Sequence, residues 1–112
     1  MGRRGRGELL PGTLDLLVLK ALQPGPMHGW GITERIQQWS HEALQINQGS
    51  LYPALYRLEA QALIDAEWRT TENNRRARYF HLTPAGRRRL EVERRQWEEL
   101  AQAIQRVLAV EG

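Results

Sequence analysis

The chain has no cysteine. That excludes disulfides, thiolate chemistry and cysteine-based zinc sites, and makes the cytoplasm the default compartment. No apolar run approaches the ~20 residues of a membrane helix, so no membrane span is expected. The N-terminal arginines are not followed by an apolar stretch and a small-residue cleavage site, so no signal peptide is expected either. His28, His41 and His81 have no carboxylate or cysteine at ligand spacing, which argues against a metal site. No nucleophile–base pattern, phosphate loop or carboxylate pair appears, so neither an enzyme nor a bound cofactor is expected. Lysine is nearly absent: of sixteen basic residues only Lys20 is not arginine.

What remains is a 112-residue chain, long enough for one domain with an appended element. Its 41% apolar content supports a modest core, and 26% charged residues fit a folded protein rather than a disordered one. The net charge is only +3, so clustering matters more than the total. Arginines gather at Arg3, Arg4 and Arg6, at Arg75, Arg76 and Arg78, and at Arg87 to Arg89. Their planar fork suits phosphate and guanine contacts.

Residues 1–11 read as a flexible basic arm. Thr13 to Leu22 is apolar nearly all round, which predicts a helix buried on more than one side. In so small a domain the second side suggests a partner subunit, met through Leu14, Leu17 and Val18. Gln23 to Pro26 breaks the chain. A second helix follows over roughly Gly29 to Ser40, with Ile32, Ile36 and Trp39 as its core stripe. The third helix carries Leu51, Leu55, Leu58 and Ala62 on one face and Tyr52, Tyr56 and Arg57 off it. Pro53 is cheapest in a first turn, which predicts a start near Gly49 or Ser50 with Ser50 as N-cap. Leu63 to Arg69 and Arg76 to Leu82 alternate as strands around the polar loop Thr70 to Arg75, a hairpin. Thr83 and Pro84 are a good N-cap and first helical residue for a last helix reaching about Val110. Leu90, Trp97 and Ile104 recur every seven residues, with Leu100 and Val107 on the alternate seam and Glu93 interrupting it.

The expected fold is mainly α with a small β-hairpin. The order α-α-α-β-β is a winged helix-turn-helix over residues 12–82, followed by a long C-terminal dimerisation helix over 83–112. In that fold the third helix enters a DNA major groove and the wing lies by the backbone. Gln48, Gly49, Ser50 and Tyr52 fall at the tip nearest the bases. Tyr56 and Arg57 lie further back, and Arg75, Arg76 and Arg78 sit at the wing. Packing against the hairpin is the alternative for the tyrosines, and a solvated strand end the alternative for the wing arginines. Arg87 to Arg89 oppose the helix dipole and are expected to meet Glu91, Glu93 or solvent.

Gly12 to Leu22 (GTLDLLVLKAL), His28 to Ile32 (HGWGI), Gly49 to Glu59 (GSLYPALYRLE) and Leu82 to Leu90 (LTPAGRRRL) closely resemble the PadR family of bacterial transcriptional regulators. The chain is similar to the short subgroup with a single C-terminal helix. Trp30 departs from the tyrosine usual in that family's HGYGI motif. The resemblance implies a homodimer that represses a promoter by binding a near-palindromic operator in double-stranded DNA. It implies an interface built from the C-terminal helix with help from the first helix. Some members release DNA when a small molecule binds at or near that interface. Trp97 is therefore either a packed interface residue or one wall of an effector site for a planar aromatic compound. The competing function is a winged-helix protein–protein interaction module that binds no DNA.

Overall fold

The computed structural model describes residues 12–112; the basic arm expected over 1–11 lies outside them. The chain runs α1 (Thr13–Ala21), β1 (Met27–His28), α2 (Gly29–Trp39), α3 (Gln48–Ala60), β2 (Ile64–Thr70), β3 (Arg76–Leu82) and α4 (Pro84–Leu108). Among the described residues no helix is long and apolar enough to cross a membrane.

The core is built from the faces that helical and strand periodicity bring together. Val18, Leu19 and Leu22 at α1, Ile32 and Ile36 of α2, Leu51, Leu55 and Leu58 of α3, and Phe80 and Leu82 of β3 are buried in one cluster. Leu90 of α4 closes it. Val18 and Leu90 are 0% and 1% exposed, which corrects the expectation that they face a partner subunit: their own chain has already enclosed them. Leu14 and Leu17 are half-buried at the edge of the same cluster. Gly86 is buried as well, so the first turns of α4 belong to the winged-helix body and the expected boundary at residue 83 is not a break in packing.

Two further expectations are corrected. Trp39 is 47% exposed, because it is the last residue of α2 and projects past the core that Ile32 and Ile36 reach. Ala62 is exposed beyond the end of α3 at φ 61°. There Leu63 N–H donates to the Leu58 carbonyl and Ala62 N–H to that of Glu59, a left-handed cap that turns Ala62 off the helix face. The expected hairpin is present as β2 and β3, and β1 adds a third strand to it. β3 is the middle of a three-stranded antiparallel sheet, order β1-β3-β2, in which Met27 pairs with Phe80 and Ile64 with Leu82.

α4 starts as its sequence dictates. Thr83 is the N-cap, its hydroxyl accepting from Gly86 N–H at 3.0 Å, with Pro84 at the first helical position. The same hydroxyl donates to the Ala62 carbonyl at 2.7 Å, and Thr83 N–H donates to that of Leu63 at 3.1 Å. The cap is thus fastened to the corner between α3 and β2. Beyond Leu90 the apolar side of α4 is uncovered: Trp97, Leu100, Ile104 and Val107 are about half or more exposed.

Candidate nucleic-acid interface

α3 starts at Gln48, next to the expected Gly49–Ser50 turn, but its cap lies further back. Asn47 is the N-cap, its side-chain oxygen accepting from Ser50 N–H at 2.8 Å, so the cap expected at Ser50 is corrected to Asn47. Pro53 consequently lies in the second turn, where it gives no N–H to the Gly49 carbonyl. Gly49 and Ser50 are exposed and Gln48 is half-buried. The Gln48 side-chain amide donates to the Thr33 hydroxyl at 3.3 Å, tying the start of α3 to α2.

The N-terminus of α2 abuts α3. His28 caps α2, Nδ1 accepting from Gly31 N–H at 3.0 Å. That bond requires Nδ1 to be the unprotonated ring nitrogen. Gly29 is needed for close approach: a Cβ there would stand 2.6 Å from the Tyr52 hydroxyl. The two tyrosines of α3 therefore divide. Tyr52 is half-buried between α3 and α2 and packs on the core edge, while Tyr56, 6.2 Å away between ring centroids, is exposed.

The wing arginines divide too. The loop closes through Asn74 N–H donating to the Thr71 carbonyl at 2.9 Å, with Asn74 at φ 60°, a conformation asparagine tolerates. Arg75 and Arg76 are exposed beside it, and among the described residues neither has a carboxylate in ion-pair reach. Arg76 lies over the Trp68 ring at 5.6 Å. Arg78, two residues on and therefore on the same face of β3, reaches the body of the domain instead: it pairs with Glu59 of α3 at 2.8 Å, over the Phe80 ring. Arg57 is likewise engaged, by Asp15 of α1 at 2.8 Å. The structure thus leaves Arg75 and Arg76 open to a ligand and engages Arg78 and Arg57 in joining elements. Arg87, Arg88 and Arg89 are exposed, and Glu91 is paired with Arg94 instead.

Between the start of α2, the tyrosines of α3 and the wing lies a groove of about 1110 Å³, lined among others by Trp30, Tyr56, Trp68, Arg75 and Arg76. Trp30 and Trp68 are 63% and 59% exposed, so both present faces to it. Sequence reasoning gave no site role to Trp30, Thr33, Asn47 or Trp68. The alternation of β2 places Trp68 on the side of Ile64 and Ala66, but the strand has left the core by that point. Trp97 stands apart on α4, half-exposed and away from the groove.

Burial lifts the Glu93 carboxyl above its usual range, Arg89 opposes this, and Asp15 adds to it. One of its oxygens is buried without a partner among the described residues. This is the residue that interrupts the apolar seam of α4.

The Transcriptional regulator PadR-like family matches residues 18–92. Transcriptional regulator Rv3488 of Mycobacterium tuberculosis is 37% identical over 97 residues, covering 87% of each chain. An uncharacterised 37.1 kDa protein in a Streptomyces fradiae transposon is 49% identical over 79 residues, but these are 70% of this chain and 21% of that protein. Among solved structures, a transcriptional regulator from Clostridium thermocellum superposes with a TM-score of 0.77 at 27% identity, over 85% of this chain and 89% of that one. A PadR family regulator from Eggerthella lenta gives 0.74 at 29% identity, over 89% and 85%. With the winged-helix elements in order and the family matched from α1 into α4, the chain belongs to the PadR-like family of transcriptional regulators.

Proposed function

We propose that the chain acts as a homodimeric, sequence-specific DNA-binding repressor of a near-palindromic operator. Residues 12–82 read DNA and the exposed length of α4 joins the two copies. The observation that carries this reading is the groove that brings together the start of α2, the tyrosines of α3, the exposed tryptophans and Arg75 and Arg76, two arginines with no carboxylate partner among the described residues. Arg75 and Arg76 contact phosphate, and Gln48, Gly49 and Ser50 approach base edges. Tyr56 supports the backbone side, while Tyr52 holds α3 against α2. Trp97, Leu100, Ile104 and Val107 form the two-fold seam, flanked by Leu14 and Leu17. A planar aromatic effector, where one acts, stacks on Trp97.

Binding in the nanomolar range is expected at low salt, with half-sites centred about 34–36 Å apart. The test is footprinting on the DNA upstream of the protein's own gene. A protected two-fold sequence is the expected result. Protection of nothing in that region at low salt overturns the reading and leaves a protein-interaction module in its place.

A further inference from the structure

We propose that Gln48 reads an adenine in the major groove, with its carboxamide aimed by Thr33. This rests on the DNA-binding reading above and adds a base and a positioning residue to it.

The argument is a count of protons. Thr33 is 7% exposed in α2. Its hydroxyl has one proton, and that proton goes to the Trp30 carbonyl at 2.8 Å. Toward any other neighbour the Thr33 oxygen can only accept. Gln48 meets it at 3.3 Å, so it must present an N–H there. The orientation of the carboxamide, which heavy-atom positions alone leave open, is set by this bond: Nε2 faces Thr33 and Oε1 faces away. Gln48 retains one N–H and both lone pairs of Oε1.

A donor beside an acceptor matches one base edge. Adenine offers N7 as acceptor and N6–H as donor, which a glutamine can engage with two bonds. Guanine offers two acceptors, N7 and O6, and would set O6 against Oε1. Thymine offers an acceptor and a methyl group. Cytosine offers its amino donor without a neighbouring N7. Gln48 is the first residue of α3, and the N-terminal residues of a recognition helix are those that reach base edges. Its half-buried side chain, held by Thr33, has lost rotamer freedom before DNA arrives, so less ordering remains to oppose binding. Thr33 touches no DNA in this scheme. It withholds the wrong orientation of the amide.

The experiment is selection of binding sites from a random-sequence duplex library, using the full chain and its Gln48→Ala, Thr33→Val and Thr33→Ser variants. The wild-type consensus should contain an adenine at one fixed position of each half-site. Changing that A·T pair to G·C should cost the wild type about 10- to 100-fold in affinity. In Gln48→Ala the same position should become indifferent while the rest of the consensus stands. Thr33→Val, which removes the acceptor, should weaken the adenine preference. Thr33→Ser, which keeps the hydroxyl, should preserve it. Thermal melting of each variant separates lost preference from lost fold. A consensus in Gln48→Ala identical to wild type, or a Gln48-dependent base other than adenine, overturns the proposal while leaving the repressor reading intact. No consensus from the wild type overturns the repressor reading itself.

Discussion

The division among the wing arginines can be read out in salt. Arg75 and Arg76 are exposed without a carboxylate partner among the described residues, whereas Arg78 is held by Glu59 at 2.8 Å. A cation that neutralises a phosphate displaces condensed counterions and steepens the fall of log K with log[salt] by about 0.9. Two such arginines on each of two wings make four phosphates, so replacing both by alanine should flatten the slope by about 3.6. Between 50 and 200 mM salt the wild type should therefore lose on the order of 150-fold more affinity than the double variant. The assay is fluorescence anisotropy of a labelled duplex carrying the footprinted site, titrated across a salt series. Arg78→Ala is the internal control. Its slope should match wild type, while the loss of a half-exposed ion pair costs about 0–1 kcal/mol of stability. Parallel lines for the wild type and the double variant, or a flattening by Arg78→Ala as large as theirs, would refute this assignment of the wing.

Other consequences are more local. Gly86→Ala should lower the urea midpoint by the equivalent of about 1–3 kcal/mol, because a Cβ there would overlap the Leu63 carbonyl oxygen and stand 3.0 Å from its carbon. An unchanged midpoint would mean that the corner yields. Glu93→Gln should stabilise the protein at neutral pH. A raised folded pKa means the folded state takes up a proton more readily than the unfolded one, so wild-type stability rises as pH falls toward the usual carboxylate range. The advantage of the glutamine should shrink over the same interval, and an advantage independent of pH would rule out the carboxylate as its cause. Ile104→Arg places a charge on the uncovered stripe and should give a monomer in sedimentation, where an unaltered dimer would show that α4 pairs elsewhere.

Much of this was legible in the sequence where a single local rule governs. Thr83 and Pro84 announce α4 because cap and first-turn chemistry involve only neighbouring residues. The N-cap of α3 is Asn47 rather than the expected Ser50 because two local rules disagree there. Proline favours a first turn, but the side-chain oxygen of Asn47 is the group that reaches the free N–H. β1 was invisible because two residues cannot display an alternation. The roles of Arg75, Arg76 and Arg78 could not be separated along the chain, since only the fold brings Glu59 within reach of one of them. Thr33 left no signal for the same reason: its significance lies in a hydroxyl already engaged by Trp30 when Gln48 arrives.

The fastening of α4 to the corner between α3 and β2 has a mechanical consequence. Thr83 bonds to two successive carbonyls, Ala62 and Leu63, and Gly86 seats against the second of them. At that joint the long helix and the reading head turn together or not at all. Twenty-five residues of α4 make an arm of about 37 Å. A tilt of about 5° at the far end of that arm would carry the reading head about 3 Å, a large part of a base-pair step. In a two-fold pair the seam would set the gauge between two heads, as the pivot of a pair of callipers sets the distance between its points. A change of packing at Trp97 would then reach the DNA through geometry alone, with no rearrangement inside the winged helix.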